Sequence, residues 1–466
     1  MTAHTQHPIS APPAAPIREK TGHLLLRGWC ILVLAGALSG TSLLMVFPPV
    51  VAGVIVFGSA LLSLGLWIAL RPAVQWPRLP WFGVAYILLA VVSITWSAWP
   101  AASALTLALL LSTSIHAVFI ASVLTWRELV RAIASALKWV LGLSLAFELW
   151  VSLVWGGPIL PQFVRPDGAV DDPIVLWSRD NLLDGGRIQG LFGNSNALAY
   201  VALLGMVVFG IRFAARAPRR GLLVAWFALA AYLFVRAGSA TAYLAAALTA
   251  VVLLTALLMR TTRRPGERTR YYLLYAVVAL GGLAALWFGR NTVFSLLGRS
   301  ADLTGRESIW NAVIERAGER PAFGWGFSTP WVPTEPAFDR WIVDHGQTVM
   351  QAHNMWIDVY LQLGIVGVVI MATAYLAFIW RSWFFAVDRP RWDLVADRPY
   401  SAITLLPTLT AAQLVVQGLA ESGPLLGWGW MFVVMFAFKI KQAPLVGRGP
   451  SEWRLAGEQG ERLAER

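Results

Sequence analysis

The stretch SATAYLAAALTAVVLLTALLM, residues 239–259, runs directly into RTTRRPGERTR, residues 260–270. The first holds no formal charge. As a helix rising 1.5 Å per residue it reaches about 30 Å, the thickness of a bilayer's hydrocarbon core. The second carries the arginines Arg260, Arg263, Arg264, Arg268 and Arg270, which hydrocarbon does not readily accept. A long apolar run closed by a basic stretch is the pattern of a membrane helix meeting an interface. The alternation repeats along the 466 residues, of which 57% are hydrophobic and 13% charged, against roughly 25% charged in soluble domains.

Twelve spans follow, at about 24–46, 49–70, 81–97, 101–124, 133–155, 194–211, 221–236, 239–259, 271–289, 354–380, 401–420 and 424–438. The expected fold is an all-α polytopic integral membrane protein. Residues 1–23 read as a disordered cytoplasmic N-terminus, 24–440 as the membrane domain and 441–466 as a loose cytoplasmic tail. The 24 tryptophans fit this, because indoles concentrate at membrane interfaces. The first span is longer than a signal-peptide core and others follow it, so it reads as a retained helix. Cys30 is the one cysteine, which excludes an internal disulfide and a cysteine-based metal site.

A net charge of +12 raises nucleic-acid binding as a reading, and the segregation of the charges rejects it. With the N-terminus in the cytoplasm, the cytoplasmic segments hold 27 of the 37 Lys and Arg against 10 acids. The outer segments hold 10 Lys and Arg against 13 acids. That is the positive-inside distribution of a membrane protein. The partner implied is a lipid bilayer, in the cytoplasmic (inner) membrane with both termini inside.

Two outer connections are long, about 156–193 and 290–353, and both contain Trp, Phe, Ile and Leu. They are expected to fold over the outer face of the bundle. The first ends in Gly185-Gly186-Arg187-Ile188-Gln189-Gly190-Leu191-Phe192-Gly193-Asn194-Ser195-Asn196. Asn194, Ser195 or Asn196 caps the helix that follows. A helix N-terminus with Arg187 beside it suits an anion; the alternative is an arginine reaching a lipid phosphate. The second loop carries Thr304-Gly305-Arg306-Glu307, where Thr304 and Glu307 have capping-box spacing. Ile309, Trp310, Val313, Ile314 and Ala317 then share one face of a short helix. Pro321-Ala322-Phe323-Gly324-Trp325-Gly326-Phe327 reads as a sugar platform or a packed turn. The loop closes on His353-Asn354 at the mouth of a span. Histidine exchanges a proton near neutral pH, and Asp358 lies one turn deeper than Asn354. Three roles are open for Asp358: orienting His353, pairing with an arginine, or facing a wet cavity. Glu148 is the other acid inside a span, and carboxylates there are expensive.

These residues, with Trp96-Ser97, Ser239-Ala240-Thr241-Ala242 and Leu363-Gly364-Ile365-Val366-Gly367, stand in an order that resembles the O-antigen ligase and O-antigen polymerase family over about residues 80 to 370. One departure is that Arg236 precedes the serine segment in place of a Ser-Arg pair. The resemblance implies a C-type glycosyltransferase acting outside the membrane. Its donor would be a glycan on undecaprenyl pyrophosphate and its acceptor a glycan or glycolipid. By motif, Arg187, Arg306 and His353 match the family's essential arginines and histidine. Asn194, Asn196, Asn354, Asp358, Trp310 and Trp325 are the expected substrate-binding residues around them. Sugar transfer from a pyrophosphate needs cations at the leaving group and a base for the incoming hydroxyl. Arg187 and Arg306 suit the first role, and His353 the second. A single displacement would invert the anomeric centre. The first outer connection, at Phe47-Pro48-Pro49, has no acid, so neither metal nor cofactor is expected. Asp171-Asp172 is the one acidic pair that bears on that expectation. Two rivals are a peptidoglycan-type polymerase, relying on an acid in the large outer loop, and a lipid-linked glycan flippase, expected to line its spans with polar residues.

Overall fold

The computed structural model describes residues 21–162, 175–262, 266–296, 306–344, 346–388 and 400–442. The expected disordered segment before residue 21, the tail beyond 442, Arg263, Arg264, Asp171-Asp172 and Thr304 lie outside them. The described chain is almost wholly helical. Its first half holds α1 (Thr21–Leu38), the short α2 (Ser42–Val46), α3 (Pro49–Leu70), α4 (Trp81–Val92), α5 (Pro100–Val123), α6 (Trp126–Trp150), α7 (Ser195–Ala214) and α8 (Arg220–Ala237). The rest is α9 (Ala240–Thr261), α10 (Glu267–Leu296), α11 (Arg306–Gly318), a two-stranded hairpin of β1 (Val343–Asp344) and β2 (Gln347–Thr348), α12 (Met355–Val387), α13 (Leu406–Ala420) and α14 (Gly427–Lys441). Among the described residues, nine helices are long and apolar enough to cross a membrane. The shorter α4 and α14, together with α10, stand where the other three spans are expected.

The helices pair as α1 with α6, α3 and α14 with α5, α7 with α8, α9 with α13, and α4 and α13 with α12. On α3 the inward residues are the small Ala52, Ala60 and Ser63, while Val50, Val54 and Leu61 are exposed. Small residues let helix backbones approach, and the large apolar ones face lipid. The basic connection after α9 acts as an anchor: Arg260 donates to the carbonyl of Ala386 near the end of α12, and Arg268 pairs with Asp388 at 2.7 Å.

Two expected spans are interrupted, each for a reason tied to the outer face. The first stops at Leu38, because the chain turns through Gly40 at φ +61. Segment 41–46 then folds back, and Ser42 Oγ donates to Leu191 O at 2.8 Å. The span opening at Asn354 is broken at Gly364, whose φ of 62° and ψ of −165° are not helical. In an unbroken helix Ile365 N would donate to Leu361 O and Val366 N to Gln362 O. Here the segment 321–326 takes both places. Trp325 N and Gly326 N donate to Leu361 O and Gln362 O at 2.9 Å each, and Ile365 N and Val366 N donate to Pro321 O and Ala322 O. Backbone groups freed at membrane depth must find such partners.

The second outer loop has a small core of its own, in which Trp99, Ile309, Val313, Trp331, Phe338 and Ala352 are buried together. The Trp96-Ser97 and Pro321–Phe327 motifs meet there. Trp96 Nε1 donates to Phe323 O and Trp99 Nε1 to Gly326 O.

A Cβ at Gly364 would lie 2.3 Å from the Ala322 backbone. Gly364→Ala is therefore expected to cost at least about 2–3 kcal/mol from backbone strain and overlap. Gly58→Ala, where a Cβ meets nothing within 4 Å, should leave stability unchanged or raise it. Thermal melting of both detergent-purified variants checks the contrast, and equal melting would overturn the account of the break.

Candidate functional site

Three distant segments deliver Arg187, Arg306 and His353 to one end of the bundle, where a single carboxylate links them. That carboxylate is Glu421, in the connection between α13 and α14. Arg306 Nη2 donates to its Oε1 at 2.9 Å, and Arg306 Nη1 donates to Ala420 O. Asn196 Nδ2 donates to the same Oε1 at 3.0 Å. Asn196 Oδ1 in turn accepts from Arg187 Nη2 at 3.0 Å. His353 Nδ1 lies 3.0 Å from Glu421 Oε2. The two long outer loops are thus linked through an acid that belongs to neither.

Local structure explains each position. Asn194 caps α7, its side chain accepting from Asn196 N and Ala197 N. Asn354 caps α12 in the same way and also donates to Leu419 O at 3.1 Å. Both side chains therefore carry helix-end roles, and Asn196 is the asparagine turned toward the cluster. Arg187 lies across Gly238, where a Cβ would come 3.2 Å from its Cγ, and its Nε donates to Ala237 O at 2.9 Å. Arg236, the departure from the family pattern, holds the first loop by donating to Asn181 O and Leu182 O. Among the described residues, Glu148 meets backbone amides and a hydroxyl in place of an arginine. It accepts from Gln189 N, Gly190 N and Ser178 Oγ, which fixes the glycine-rich turn. Gly190 has φ +56, and a Cβ there would strike Ser144 at 2.9 Å.

Asp358 is buried and accepts from Ala352 N at 3.1 Å and from Ser422 Oγ. Of the three roles left open for it, none is seen directly. It ties together the residues just before His353 and just after Glu421. Trp310 Nε1 donates to Ala352 O at 2.9 Å, bracing the same junction. Trp325 stacks on Trp99, with the Arg316 and Arg320 guanidinium groups over its ring. Its Nε1 donates to Arg316 O. Here the aromatic segment is a packed turn that braces the helix break.

His353 adopts φ +52, an uncommon conformation for a residue other than glycine and one in which His is enriched. Its side chain is 28% exposed and that of Arg306 20%, against 9% for Glu421. Glu421 is covered, while His353 and Arg306 are partly exposed. Burial pushes the Glu421 carboxyl up. The hydrogen bond and charge of His353 and the guanidinium of Arg306 outweigh that and hold it below its ordinary value.

Sequence reading missed Glu421 because it stands alone between two spans, in no motif, and its partners lie from 68 to 225 residues away. A single acid beside a span boundary was the signal available.

A carboxyl held low in the fold adds stability above its unfolded pKa, and that contribution is lost as pH falls through the folded value. Wild type is therefore expected to melt above Glu421→Gln at neutral pH, with the gap closing below the usual carboxylate range. Melting curves across pH check this; a gap independent of pH would mean that Glu421 is not ionised in the fold.

Residues 223–372 match the family model described as O-Antigen ligase. The matched segment contains Arg306, His353, Asp358 and the break at Gly364, while Arg187, Asn196 and Glu421 lie outside it. The chain is also 27% identical over 197 residues to the Exopolysaccharide production protein ExoQ of Rhizobium meliloti (strain 1021). That alignment covers 39% of this chain and 43% of the relative, less than half of the relative's length. Together the family match and this relative support an O-antigen ligase/polymerase-like family for this multi-pass membrane protein.

Proposed function

We propose that this chain is an extracytoplasmic glycosyltransferase that moves a glycan from undecaprenyl pyrophosphate to an acceptor glycan or glycolipid. The observation that carries the reading is the gathering of Arg306 and His353 on one buried carboxylate, with Arg187 joined to it through Asn196, at one mouth of the bundle. A lipid-linked pyrophosphate must sit at that depth, because its isoprenoid tail stays in the bilayer. The family description names an O-antigen ligase and the relative is named for exopolysaccharide production; a glycan-transferring enzyme fits both names.

In this reading Arg187 and Arg306 hold the pyrophosphate through bidentate guanidinium contacts. Their charge meets the negative charge that develops as the glycosidic C–O bond to the phosphate breaks. The acceptor hydroxyl attacks the anomeric carbon from the opposite side, inverting it, and its proton passes to His353. Glu421 on Nδ1 sets the imidazole with Nε2 as the acceptor and stabilises the imidazolium that forms, as a carboxylate does behind a catalytic histidine. With two guanidinium groups at the leaving group, the reading requires no metal ion. Asn196 and Asp358 position the charged residues.

Transfer assayed in detergent with purified lipid-linked donor and acceptor separates the enzyme from a flippase, which yields no product without a sealed membrane. Arg187→Ala and Arg306→Ala should each lower the rate about 10²–10³-fold. Lysine should restore little, lacking the fork, and a chelator should change nothing. His353→Asn, which tolerates the left-handed backbone, should bind donor but transfer it about 10²–10⁴-fold more slowly. An active His353→Asn enzyme would remove the base assignment, and near-normal turnover by Arg306→Ala would remove the pyrophosphate role. Glu421→Gln should lower kcat and shift the pH–rate profile while sparing donor binding. If Glu421→Gln abolished transfer and His353→Asn did not, the acid itself would be the base.

A further inference from the structure

A second concentration of positive charge lies at the other end of the same helices. A cavity of about 620 Å³ opens among Arg27, Arg131, Lys138, Arg212 and Arg219, with no carboxylate among the described residues that line it. Helix geometry gives its depth. On α6, Arg131 and Glu148 are separated by four to five turns, and on α7 so are Asn196 and Arg212; at 1.5 Å per residue each separation is about 25 Å. The cavity is therefore nearly a membrane's thickness from the candidate site, on the face that the positive-inside distribution assigns to the cytoplasm.

A topology anchor needs cations at an interface, but it needs no cavity. This arrangement is concave, of a size typical for small-ligand sites, and lined by one sign of charge. Lys138 is drawn over the Trp226 ring, 5.7 Å from its centroid, so part of the wall is shaped by packing. Ile31, Leu222 and Leu223 complete it on the apolar side. Like charges held together at low dielectric repel one another, and an anion relieves that repulsion.

We propose that this cavity is a binding site for a phosphate-bearing anion on the cytoplasmic face, separate from the glycan-transfer site and independent of the reading given for it. Arginine forks and a lysine ammonium suit phosphate oxygens. Two sources carry that chemistry. One is the headgroup of an acidic lipid, with its chains against Leu222 and Leu223. The other is a soluble diphosphate.

The full-length protein in phosphatidylcholine nanodiscs tests both. In one arm cardiolipin is doped into the disc and the lipid retained by the protein is counted by native mass spectrometry. In the other, inorganic pyrophosphate is titrated and the melting temperature followed. At least one probe is expected to bind. Joint replacement Arg131→Gln, Lys138→Gln and Arg212→Gln should weaken that binding by about tenfold or more, the worth of one charge-assisted hydrogen bond. An equal loss of charge at Arg71→Gln, Arg78→Gln and Arg381→Gln, outside the cavity, should leave it nearly unchanged. Single Arg131→Gln and Arg212→Gln variants, expected to weaken binding several-fold, carry the test if the triple variant misfolds. Cardiolipin retention alone assigns the lipid headgroup, and pyrophosphate stabilisation alone assigns the soluble anion. Binding of neither probe, or equal weakening by the control triple, overturns the site.

Discussion

A backbone cannot be left unpaired at membrane depth, and the break at Gly364 makes that constraint govern the outer face. The carbonyls of Leu361 and Gln362 and the amides of Ile365 and Val366 lose their helical partners there. The segment 321–326 replaces all four. It is held in register on the bundle by obligatory hydrogen bonds, and Gly324 and Gly364 allow the two backbones to touch. Everything attached to that segment inherits the placement: α11 with Arg306 on one side, and the short helical piece opening at Asn354, with His353 at its mouth, on the other. A long loop over a membrane protein is ordinarily free to move. This one is fastened at its middle.

The second organising element is electrostatic. Arg187 and Arg306 would repel one another if they converged without a counter-charge. Glu421 offsets that repulsion without cancelling it: the one carboxylate bonds Arg306 directly and His353 beside it, and meets Arg187 only through Asn196. The cluster keeps an excess of positive charge while holding defined geometry. Glu421 is covered, while Arg306 and His353 are partly open. The buried carboxylates behind it act by positioning. Asp358 joins the two connections at Ala352 and Ser422, and Glu148 fixes the turn that precedes the cap of α7. A buried carboxylate stripped of water is costly unless hydrogen-bonded; Glu148 accepts from two loop amides and a hydroxyl, while Asp358 accepts an amide and a hydroxyl on one oxygen and leaves Oδ1 without a partner among the described residues. That is how two acids in spans can serve an outer site without lining a path across the membrane.

The amino-acid sequence by itself determined the membrane class and the order of the long apolar helices, because hydropathy and chain length act locally. It also marked Arg187, Arg306 and His353, which stand at the ends of loops where a span begins or a short helix starts. It did not disclose Glu421, the splitting of the first span at Gly40, or the break within the run that opens at Asn354. Residues 355–380 are apolar apart from Asp358, Gln362, Thr373 and two tyrosine hydroxyls, so composition reads as one helix. What interrupts it is a partner segment some forty residues upstream. The roles of Trp325 and Asn354 were likewise decided by what lay next to them: a ring packed by Trp99 and two arginines, and a cap bonded to Leu419. Spans are legible because each residue meets lipid according to its own chemistry. The site was settled only by tertiary structure, because a carboxylate's role depends on which cations the fold brings within about 3 Å of it.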